Sequence, residues 1–466
     1  MDTLYINTNP KILPVLDKNF KSAALYNRAF RQEVAKSGRG IQLAIALERG
    51  DGLISTYKMQ IFEESSVLAN SNCFYVERIV KTLLWARGGW KVTIGGSKKV
   101  GEFIQKAYAL GGTREFDAKF MSRVYEKPFT VEVTESDKVP VAKEETKPAG
   151  RNLDGCRIGF DAGGSDRKVS AVIDGEAVYS EEVIWHPKTQ SDPEYHYKGI
   201  LESMKSAAAH LPRVDAIGVS SAGIYVDNRT MVASLFIKVS DELFDEKVKD
   251  IFLNIAKEMG DVPIEVANDG DVTALSGAMD LEDNNVLGIA MGTSEAGGYV
   301  DGNGNITGWL NELAFVPVDY NFDAMVDEWS GDYGCGVKYF SQDAVIKLAP
   351  TAGIKLDEKL TPAEKLKVVQ DLHAQGDPRA SQIFETIGCY LGYAIAHYAD
   401  FYDIKHALIL GRVTSGEGGN IIIEAARKVL KVEFAELAET IKIHLPDESN
   451  RRVGQSIAAA SLVKLK

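Results

Sequence analysis

Residues Ile158 to Val172 read IGFDAGGSDRKVSAV, an apolar strand followed by two glycines and a second strand. The pair Gly163-Gly164 predicts a tight hairpin, because glycine has no side chain to restrict the turn. The backbone of such a turn can approach a phosphate closely. Ser165 adds a hydroxyl group, and Asp161 is a candidate ligand for Mg²⁺, directly or through water. For this motif alone, an ordinary hairpin that binds nothing remains the alternative.

A second hairpin further along the chain repeats this plan. The stretch VLGIAMGTSEAGGYVDGNG, Val286 to Gly304, contains an apolar strand, the turn Gly292-Thr293 and a second strand that begins with two glycines. Thr293 and the neighbouring amides are candidates for binding the β- or γ-phosphate of a nucleotide. Two such hairpins predict two facing phosphate loops, one from each of two related lobes.

A candidate catalytic carboxylate follows a third apolar strand. In IEVANDGDVTAL, Ile264 to Leu275, the strand delivers Asn268 and Asp269 to the start of a predicted helix. A phosphotransferase needs a carboxylate to accept the proton of the attacking hydroxyl group, and Asp269 is placed for this task. The alternative is structural, because an aspartate at this position commonly caps its own helix.

A fourth motif joins a buried strand to a glycine-rich turn and a helix. It reads ALILGRVTSGEGG, Ala407 to Gly419. Gly411 and Gly416 would allow close approach of the backbone to the phosphates or ribose of a nucleotide, next to a helix N-terminus. An ordinary strand-to-helix loop is the alternative.

The alternation of strands and helices around these motifs predicts an α/β protein with two lobes of similar plan and a cleft between them. We expect four segments: an additional α/β or α+β domain (1–135), a polar linker (136–152), an N-terminal lobe (153–280) and a C-terminal lobe (281–466). In the first domain we predict two strands within 41–62, a helix at 75–86, a strand at 90–94, a helix at 100–110 and a strand at 129–133. In the lobes we predict strands at 158–160, 168–173, 177–181, 216–219, 264–267, 286–291, 297–300 and 407–410, and helices at 195–209, 241–259, 362–373, 379–401, 420–428 and 456–463.

The composition is that of a globular protein, with 45% apolar and 26% charged residues. The net charge of −13 is uneven, because residues 1–150 hold 23 Lys and Arg against 17 Asp and Glu. The acidic remainder should repel nucleic acid. The basic part either attracts an anionic partner or is a solvated surface. We see no consecutive short helices of the helix-turn-helix kind, no membrane-spanning stretch, no secretory signal and no paired cysteines, and we expect a cytoplasmic protein.

The order of the motifs resembles the ROK family of sugar kinases and repressors, within the actin/hexokinase/Hsp70 superfamily, from about Gly155 to Leu465. The stretches AIGVSSAGIYVD (216–227) and QGDPRASQIFETIGCYLGYAIAHYADFYDIKHALILGRV (375–413) are also similar to the family. The resemblance implies a ribonuclease H-like, actin-like ATPase fold. It implies Asp269 as the catalytic residue, and it implies substrate contacts at Asn268, Glu312, Ser221 and Gly223. It also implies ATP and Mg²⁺, with phosphate contacts at Gly163, Gly164, Ser165, Gly292, Thr293, Gly411 and Gly416.

The chain departs from the family pattern around Glu312. The usual Gly-Glu-Ile-Gly-His becomes Asn311-Glu312-Leu313-Ala314-Phe315, which loses a zinc ligand and a sugar contact. The Cys-rich loop that normally follows keeps only Cys335. We therefore expect no structural zinc. Nothing in residues 1–150 is similar to the winged helix of the family's repressors.

These observations predict an ATP-dependent kinase that phosphorylates a hydroxyl group of a small substrate, a hexose or a hexose derivative. The competing hypothesis is a non-catalytic sugar sensor on the same scaffold, and a third is an ATPase coupled to a partner protein. We expect a sugar as the partner, neither membrane nor nucleic acid, and leave a homodimer open.

Overall fold

A computed structural model describes residues 6–144, 149–446 and 448–465 of the chain, and it leaves the side chains of residues 448–453 undescribed. The chain forms two compact units, each assembled from separate stretches of sequence. The first unit combines Met1–Glu145, Ile289–Gly297 and Trp309–Leu445, and the second combines Thr146–Gly288, Gly298–Gly308 and Pro446–Lys466. In the described part of the chain, no helix has the length and apolar character needed to span a membrane.

The N-terminal segment is an α+β arrangement around a four-stranded sheet of order β2-β1-β3-β4. β1 pairs antiparallel with β2 and β3, whereas β3 and β4 are parallel. Its elements are α1 (Ala23–Ser37), β1 (Gly40–Glu48), β2 (Ile54–Phe62), α2 (Ser71–Arg87), β3 (Lys91–Gly95), α3 (Lys98–Tyr108), α4 (Glu115–Tyr125) and β4 (Thr130–Thr134). The predicted strands and helices of this segment are confirmed, whereas α1 and α4 were not predicted.

The consecutive short helices α3 and α4 correct one expectation from the sequence. No consecutive short helices were predicted from the sequence, whereas α3 and α4 follow one another and precede β4. Helix α3 packs on β3 and β4 of the sheet. Helix α4 packs on α3, so both helices belong to the α+β arrangement around this sheet. Past β4, the backbone of Lys143 pairs with that of Ile54 of β2, so the middle of the predicted linker (136–152) lies along the sheet edge.

The second unit is built around a five-stranded sheet of order β11-β8-β5-β6-β7. β5, β8 and β11 run parallel to each other, and β6 and β7 extend the sheet as an antiparallel meander. The elements from here to the start of β12 are β5 (Cys156–Ala162), β6 (Asp166–Ile173), β7 (Glu176–Ile184), α5 (Pro193–Ala208), β8 (Ala216–Ser221), β9 (Ile224–Val226), β10 (Arg229–Val232), α6 (Asp241–Leu243), α7 (Ile251–Glu258), β11 (Ile264–Asn268) and α8 (Asp269–Asp280). The predicted single helix over 241–259 was wrong, because a π-helical turn at Phe244–Val248 separates α6 from α7.

The remaining elements are β12 (Val286–Met291), β13 (Glu295–Val300), α9 (Gln342–Leu348), α10 (Pro362–Ala374), α11 (Pro378–Tyr398), β14 (His406–Leu410), α12 (Glu417–Glu433), α13 (Ala435–Thr440), β15 (Lys442–His444) and α14 (Glu448–Ala460). The strands form a sheet of order β13-β12-β14-β15. The predicted strands at 286–291, 297–300 and 407–410 and the helices at 362–373, 379–401 and 420–428 are confirmed to within a few residues. The closing helix begins at Glu448 and ends at Ala460, so its predicted range of 456–463 was shifted.

Helix α14 lies against β5 and β8 with its backbone almost touching the sheet. Gly159 of β5 and Gly218 of β8 are paired neighbours, and they face the carbonyl oxygens of Ser456 and Ala459. A Cβ atom at Gly159 would lie 1.8 Å from the first oxygen, and one at Gly218 would lie 1.7 Å from the second. Only glycine fits at either position, because any larger residue would overlap the helix backbone.

We predict that Gly218→Ala destabilises the protein by about 3 kcal/mol, since the new methyl group must displace a helix backbone and not a flexible side chain. Urea denaturation of the full chain measures this loss. Gly50→Ala is the matched control, because nothing lies within 4 Å of a Cβ at Gly50. Equal stability of the two variants would contradict the close packing of α14 on the sheet.

Candidate active site

Three parallel strands of the second unit end side by side and carry polar residues at their ends. In the strand registers, Asp161 of β5 pairs with Ser220 of β8, and Ser221 of β8 pairs with Asn268 of β11. The carboxyl ends of parallel strands are the edge at which α/β proteins bind ligands. Residues that the sequence motifs suggested separately therefore lie along one edge of one sheet.

Asp161 is a buried carboxylate with one oxygen engaged. Its Oδ1 accepts hydrogen bonds from the hydroxyl of Ser220 at 2.8 Å and from the amide of Gln455 at 3.3 Å. Among the described residues, Oδ2 of Asp161 has no hydrogen-bond partner and remains available to a water molecule or a cation. Burial raises the pKa of Asp161 to about 6, the Ser220 hydrogen bond and Lys168 oppose this rise, and the negative charge of Asp269 adds to it.

Asn268 and Asp269 divide two roles at the start of α8. Asn268 is the cap, because its Oδ1 accepts from the backbone N–H of Gly270 at 2.8 Å while its Nδ2 donates to the carbonyl of Gly223 at 2.7 Å. Asp269 is the first helical residue, and its Oδ1 also accepts from Gly270, at 3.0 Å. In the part of the chain that the structure describes, Oδ2 of Asp269 forms no hydrogen bond or ion pair. Both side chains therefore contact the first turn of α8, and Oδ2 of Asp269 is the oxygen left without a hydrogen bond among the described residues.

The electrostatics of Asp269 suit a proton acceptor. Desolvation raises the pKa of this half-buried carboxyl group, whereas the N–H of Gly270 and the positive charge of Lys188 lower it. A base is most effective when its pKa lies closer to the working pH than that of an ordinary aspartate.

The hairpin between β5 and β6 is held from the side by Trp185. The indole N–H of Trp185 donates to the carbonyl of Gly163 at 2.8 Å, and its backbone N–H donates to the carbonyl of Ser165 at 3.1 Å. The exposed side chain of Lys188 lies over the same turn, since a Cβ atom at Gly164 would meet its Nζ at 3.2 Å. Lys188 forms no ion pair with the described residues. The hairpin thus offers backbone groups and an ammonium group to an anion such as phosphate.

Lys188 was absent from the sequence analysis. It stands in WHPKTQ, between a strand and a helix, where no motif or spacing distinguishes it from other surface lysines. Its position over the hairpin depends on the path of the chain after β7.

Two predicted substrate contacts, Ser221 and Gly223, lie at the end of β8 and just after it, and Gly223 is half-buried. Ser221 is completely buried, and its hydroxyl accepts from that of Tyr225 at 2.7 Å. Gly223 has a φ of +144°, and a Cβ there would lie 2.5 Å from the carbonyl of Val232. Of these two residues, Gly223 contacts the candidate site directly, through its carbonyl and Asn268.

In the first unit, two predicted phosphate turns lie side by side. Gly292 follows the end of β12 and Gly411 follows the end of β14. Gly411 has a φ of +104°, and a Cβ there would lie 2.3 Å from the carbonyl of Met291, so the two turns touch through their backbones. The hydroxyl of the exposed Thr293 has no partner among the described residues. Gly416 caps the N-terminus of the long helix α12, with nothing within 4 Å of its Cβ position, which suits the approach of a phosphate.

Glu312 lies near a second, fully buried carboxyl group. Glu295 of β13 is 3% exposed, its Oε1 accepts a long hydrogen bond of 3.5 Å from the hydroxyl of Tyr398, and its Oε2 has no partner among the described residues. Burial raises the pKa of Glu295 well above its ordinary value, the Tyr398 hydrogen bond opposes this rise, and the charge of Glu312 adds to it. Burial therefore favours the neutral form of Glu295, which lies near half-buried Glu312.

Residues 157–460 match the model of the ROK family, and the chain belongs to this family. The match begins after the N-terminal segment and includes none of it. The two-lobed α/β fold of the actin/hexokinase type, with an extra N-terminal domain, is in agreement with this membership.

Three solved structures illustrate the likeness. A ROK family transcriptional regulator, a homologue of the Escherichia coli MLC protein, aligns with a TM-score of 0.50 at 18% identity, over 66% of this chain and 78% of its own. A ROK hexokinase from Thermus thermophilus aligns with a TM-score of 0.49 at 18% identity, over 66% of this chain and 97% of its own. A ROK family glucokinase from Streptomyces griseus, in complex with glucose and AMPPNP, aligns with a TM-score of 0.49 at 20% identity, over 66% of this chain and 98% of its own. A search of curated proteins found no match. At these identities the likeness concerns the fold alone.

We predict that Glu295→Met stabilises the protein by about 1–2 kcal/mol at pH 7, because an apolar side chain of similar volume removes a buried carboxyl group that has one long hydrogen bond and one oxygen without a partner among the described residues. The folded-state pKa of Glu295 is raised, so its contribution to stability is present below the unfolded pKa and is lost as the pH rises. Thermal unfolding at pH 5 and pH 7 should therefore show a larger difference between variant and wild type at pH 7. The exposed Glu436→Met serves as the control. A difference that does not grow with pH would mean that Glu295 is ionised in the folded protein.

Proposed function

We propose that this protein is an ATP-dependent phosphotransferase that phosphorylates a hydroxyl group of a small sugar, a hexose or a hexose derivative. One observation carries the proposal: an edge of a single sheet brings together a free carboxylate oxygen on Asp269, the buried Asp161 and the hairpin at Gly163, with Lys188 over it. Membership of the ROK family supports the same reaction, because the family contains sugar kinases. Because the family also contains repressors, membership alone does not distinguish a kinase from a regulator. The assignment as a kinase therefore depends on the residues of the site.

In this reaction Asp269 accepts the proton of the sugar hydroxyl group as that oxygen attacks the terminal phosphorus of ATP. The free Oδ2 is the atom that takes the proton. Asn268 uses one N–H for Gly223, and its amide has a second N–H that we assign to a sugar oxygen. Glu312 is the second group that we assign to the sugar hydroxyls.

The phosphates of ATP require backbone N–H groups and a positive charge. The hairpin residues Gly163, Gly164 and Ser165, with Lys188, are our candidates in the second unit. In the first unit the candidates are Gly292, Thr293, Gly411 and Gly416. Magnesium, when bound, neutralises charge on the phosphates, and Oδ2 of Asp161 is the donor that would hold it, directly or through water. Mg²⁺ commonly needs only one or two protein carboxylates, which fits the lack, among the described residues, of a cluster of three or more potential metal ligands.

We predict that Asp269→Asn lowers kcat by about 10²–10⁴-fold, because the proton of the acceptor loses its base. The affinity for ATP should stay within about twofold, since the amide keeps the size of the side chain. A coupled assay of ADP release, run over a panel of hexoses, amino sugars and sugar acids, measures both quantities. Asp280→Asn, at the exposed far end of α8, is the matched control.

The same panel separates the proposal from its rivals. Turnover that depends on a sugar supports a kinase. Saturable sugar binding in a calorimeter without turnover would instead indicate a sugar sensor, and ATP hydrolysis that needs no sugar would indicate an ATPase. A homodimer and a cytoplasmic location stay predictions from the sequence.

We predict that Lys188→Met raises the KM for ATP or lowers kcat, with a loss of about 10–100-fold in kcat/KM, because one cation at the phosphates is removed. Lys198→Met is the control, since Lys198 is an exposed lysine of the following helix that pairs with Glu194. Initial rates at varied ATP provide the measurement. If Lys188→Met and the control match the wild type, Lys188 is a surface residue without a role.

A further inference from the structure

The segment that carries Glu312 completes the end of helix α2. The backbone N–H groups of Asn311 and Glu312 donate to the carbonyls of Ala86 and Trp85, at 3.1 and 3.0 Å. These carbonyls belong to the last turn of α2, where a helix has no internal donors left for them. A piece of chain that begins more than two hundred residues later in sequence thus supplies the missing hydrogen bonds.

Asn311 is also held by contacts outside α2. Asn311 is 1% exposed and has a φ of +52°, a conformation that asparagine adopts more readily than most residues. Its Oδ1 accepts from the hydroxyl of Tyr402 at 3.0 Å, and its carbonyl lies 2.4 Å from the Cβ position of Gly297. The backbone that orients Glu312 is therefore held between α2, Tyr402 and β13.

An aromatic stack anchors the other end of the segment. The ring of Phe315 lies on Trp85, with 4.2 Å between the ring centroids and 30° between the planes. Trp85 is completely buried, and its indole N–H donates to Asp117 at 3.0 Å. Both ends of the five-residue segment from Asn311 to Phe315 contact the same turn of α2.

A buried network of charges holds the following loop against α2. Asp332 is 2% exposed and contacts three cations, Arg78 at 3.1 Å, Lys81 at 2.9 Å and Arg114 at 2.8 Å. Glu77 and Asp117 provide the other negative charges, so three cations face three carboxylates. Such a network is stable only when all members are paired, and it fixes its elements in one arrangement.

We propose that helix α2 is a positioning element for substrate recognition, with Trp85 as its central positioning residue. Through the carbonyls of Trp85 and Ala86 and the stack on Phe315, α2 sets the orientation of Glu312 toward the acceptor. The affinity for the acceptor then depends on the N-terminal segment, although no residue of that segment is assigned to the substrate. This inference rests on the proposed function of Glu312.

The test compares Phe315→Leu and Trp85→Leu, which remove the stack, with Trp85→Phe, which keeps an aromatic ring and loses the hydrogen bond to Asp117 just as Trp85→Leu does. The control is Asp400→Asn, which breaks the 2.8 Å ion pair of Asp400 with Arg31 in the same unit without touching the segment. Hydrogen exchange of the peptide 309–316 measures its order, and initial rates give the KM of acceptor and ATP separately.

We expect the two leucine variants to exchange peptide 309–316 faster and to raise the acceptor KM about tenfold, because a small misplacement of a binding group is costly. The KM for ATP should stay within about twofold, Trp85→Phe should lie close to wild type, and Asp400→Asn should change neither quantity. A general loss of stability would instead affect the control variant and the KM for ATP as well.

Unchanged exchange in both leucine variants would overturn the inference, as would faster exchange with an unchanged acceptor KM. Failure of the proposed function has a different signature, because the wild type itself would then turn over no acceptor. In that case, calorimetric affinities for the same sugars replace the KM values. Weaker sugar binding by the leucine variants than by wild type would still support the positioning role. Equal binding by variants and wild type would refute it, and so would a wild type that binds no sugar.

Discussion

The direct contact of helix α14 with a pair of glycines is the constraint on which the second unit depends. Gly159 and Gly218 sit opposite each other on neighbouring strands, and the helix backbone occupies the space that two side chains would fill. This contact places Gln455 of α14 where its amide reaches both Asp161 and Ser220, at 3.3 and 3.1 Å. The orientation of the candidate metal ligand therefore follows from how closely a helix can approach a sheet.

The first unit depends on balanced burial of charge. Helix α2 contributes Glu77, Arg78 and Lys81 to the network around Asp332, and removing one member would leave an unpaired charge in the interior. The N-terminal segment and residues 309–445 are thus parts of one compact unit, although the family match covers only the latter. The division of the chain into four segments remains a prediction from the sequence. The packing of α2 against residues 309–445 is observed within the first unit.

The sequence predicted those parts of the site that depend on local patterns. A strand followed by Gly163-Gly164, and a strand followed by Asn268-Asp269, each define an element and its end, and both strands are where the patterns placed them. Lys188 lacked such a signal, because its position over the hairpin is set by tertiary structure. The pairing of Arg78 with Asp332 also has no local signature, since the two residues are far apart in sequence and each resembles an ordinary surface charge. The break between α6 and α7 was missed because apolar spacing continues through a π-helical turn.

Phe315 shows how a departure from a family pattern acquires a physical reason. In the sequence, the phenylalanine is a departure, because the family pattern has a histidine at this position to which the resemblance assigns a zinc ligand and a sugar contact. In the structure, its ring lies on Trp85, and Phe116 and Trp329 complete the cluster at 6.0 and 5.4 Å from Phe315. An apolar aromatic ring suits this completely buried partner, whereas an imidazole would need hydrogen-bond partners for its nitrogens. Helix α2 therefore provides the packing partner that favours a phenylalanine here, and the same helix holds the backbone of Glu312 in this segment. The phenylalanine side chain and the backbone N–H of Glu312 thus contact the same residue of α2, so the packing that suits a phenylalanine also fixes the backbone of the glutamate.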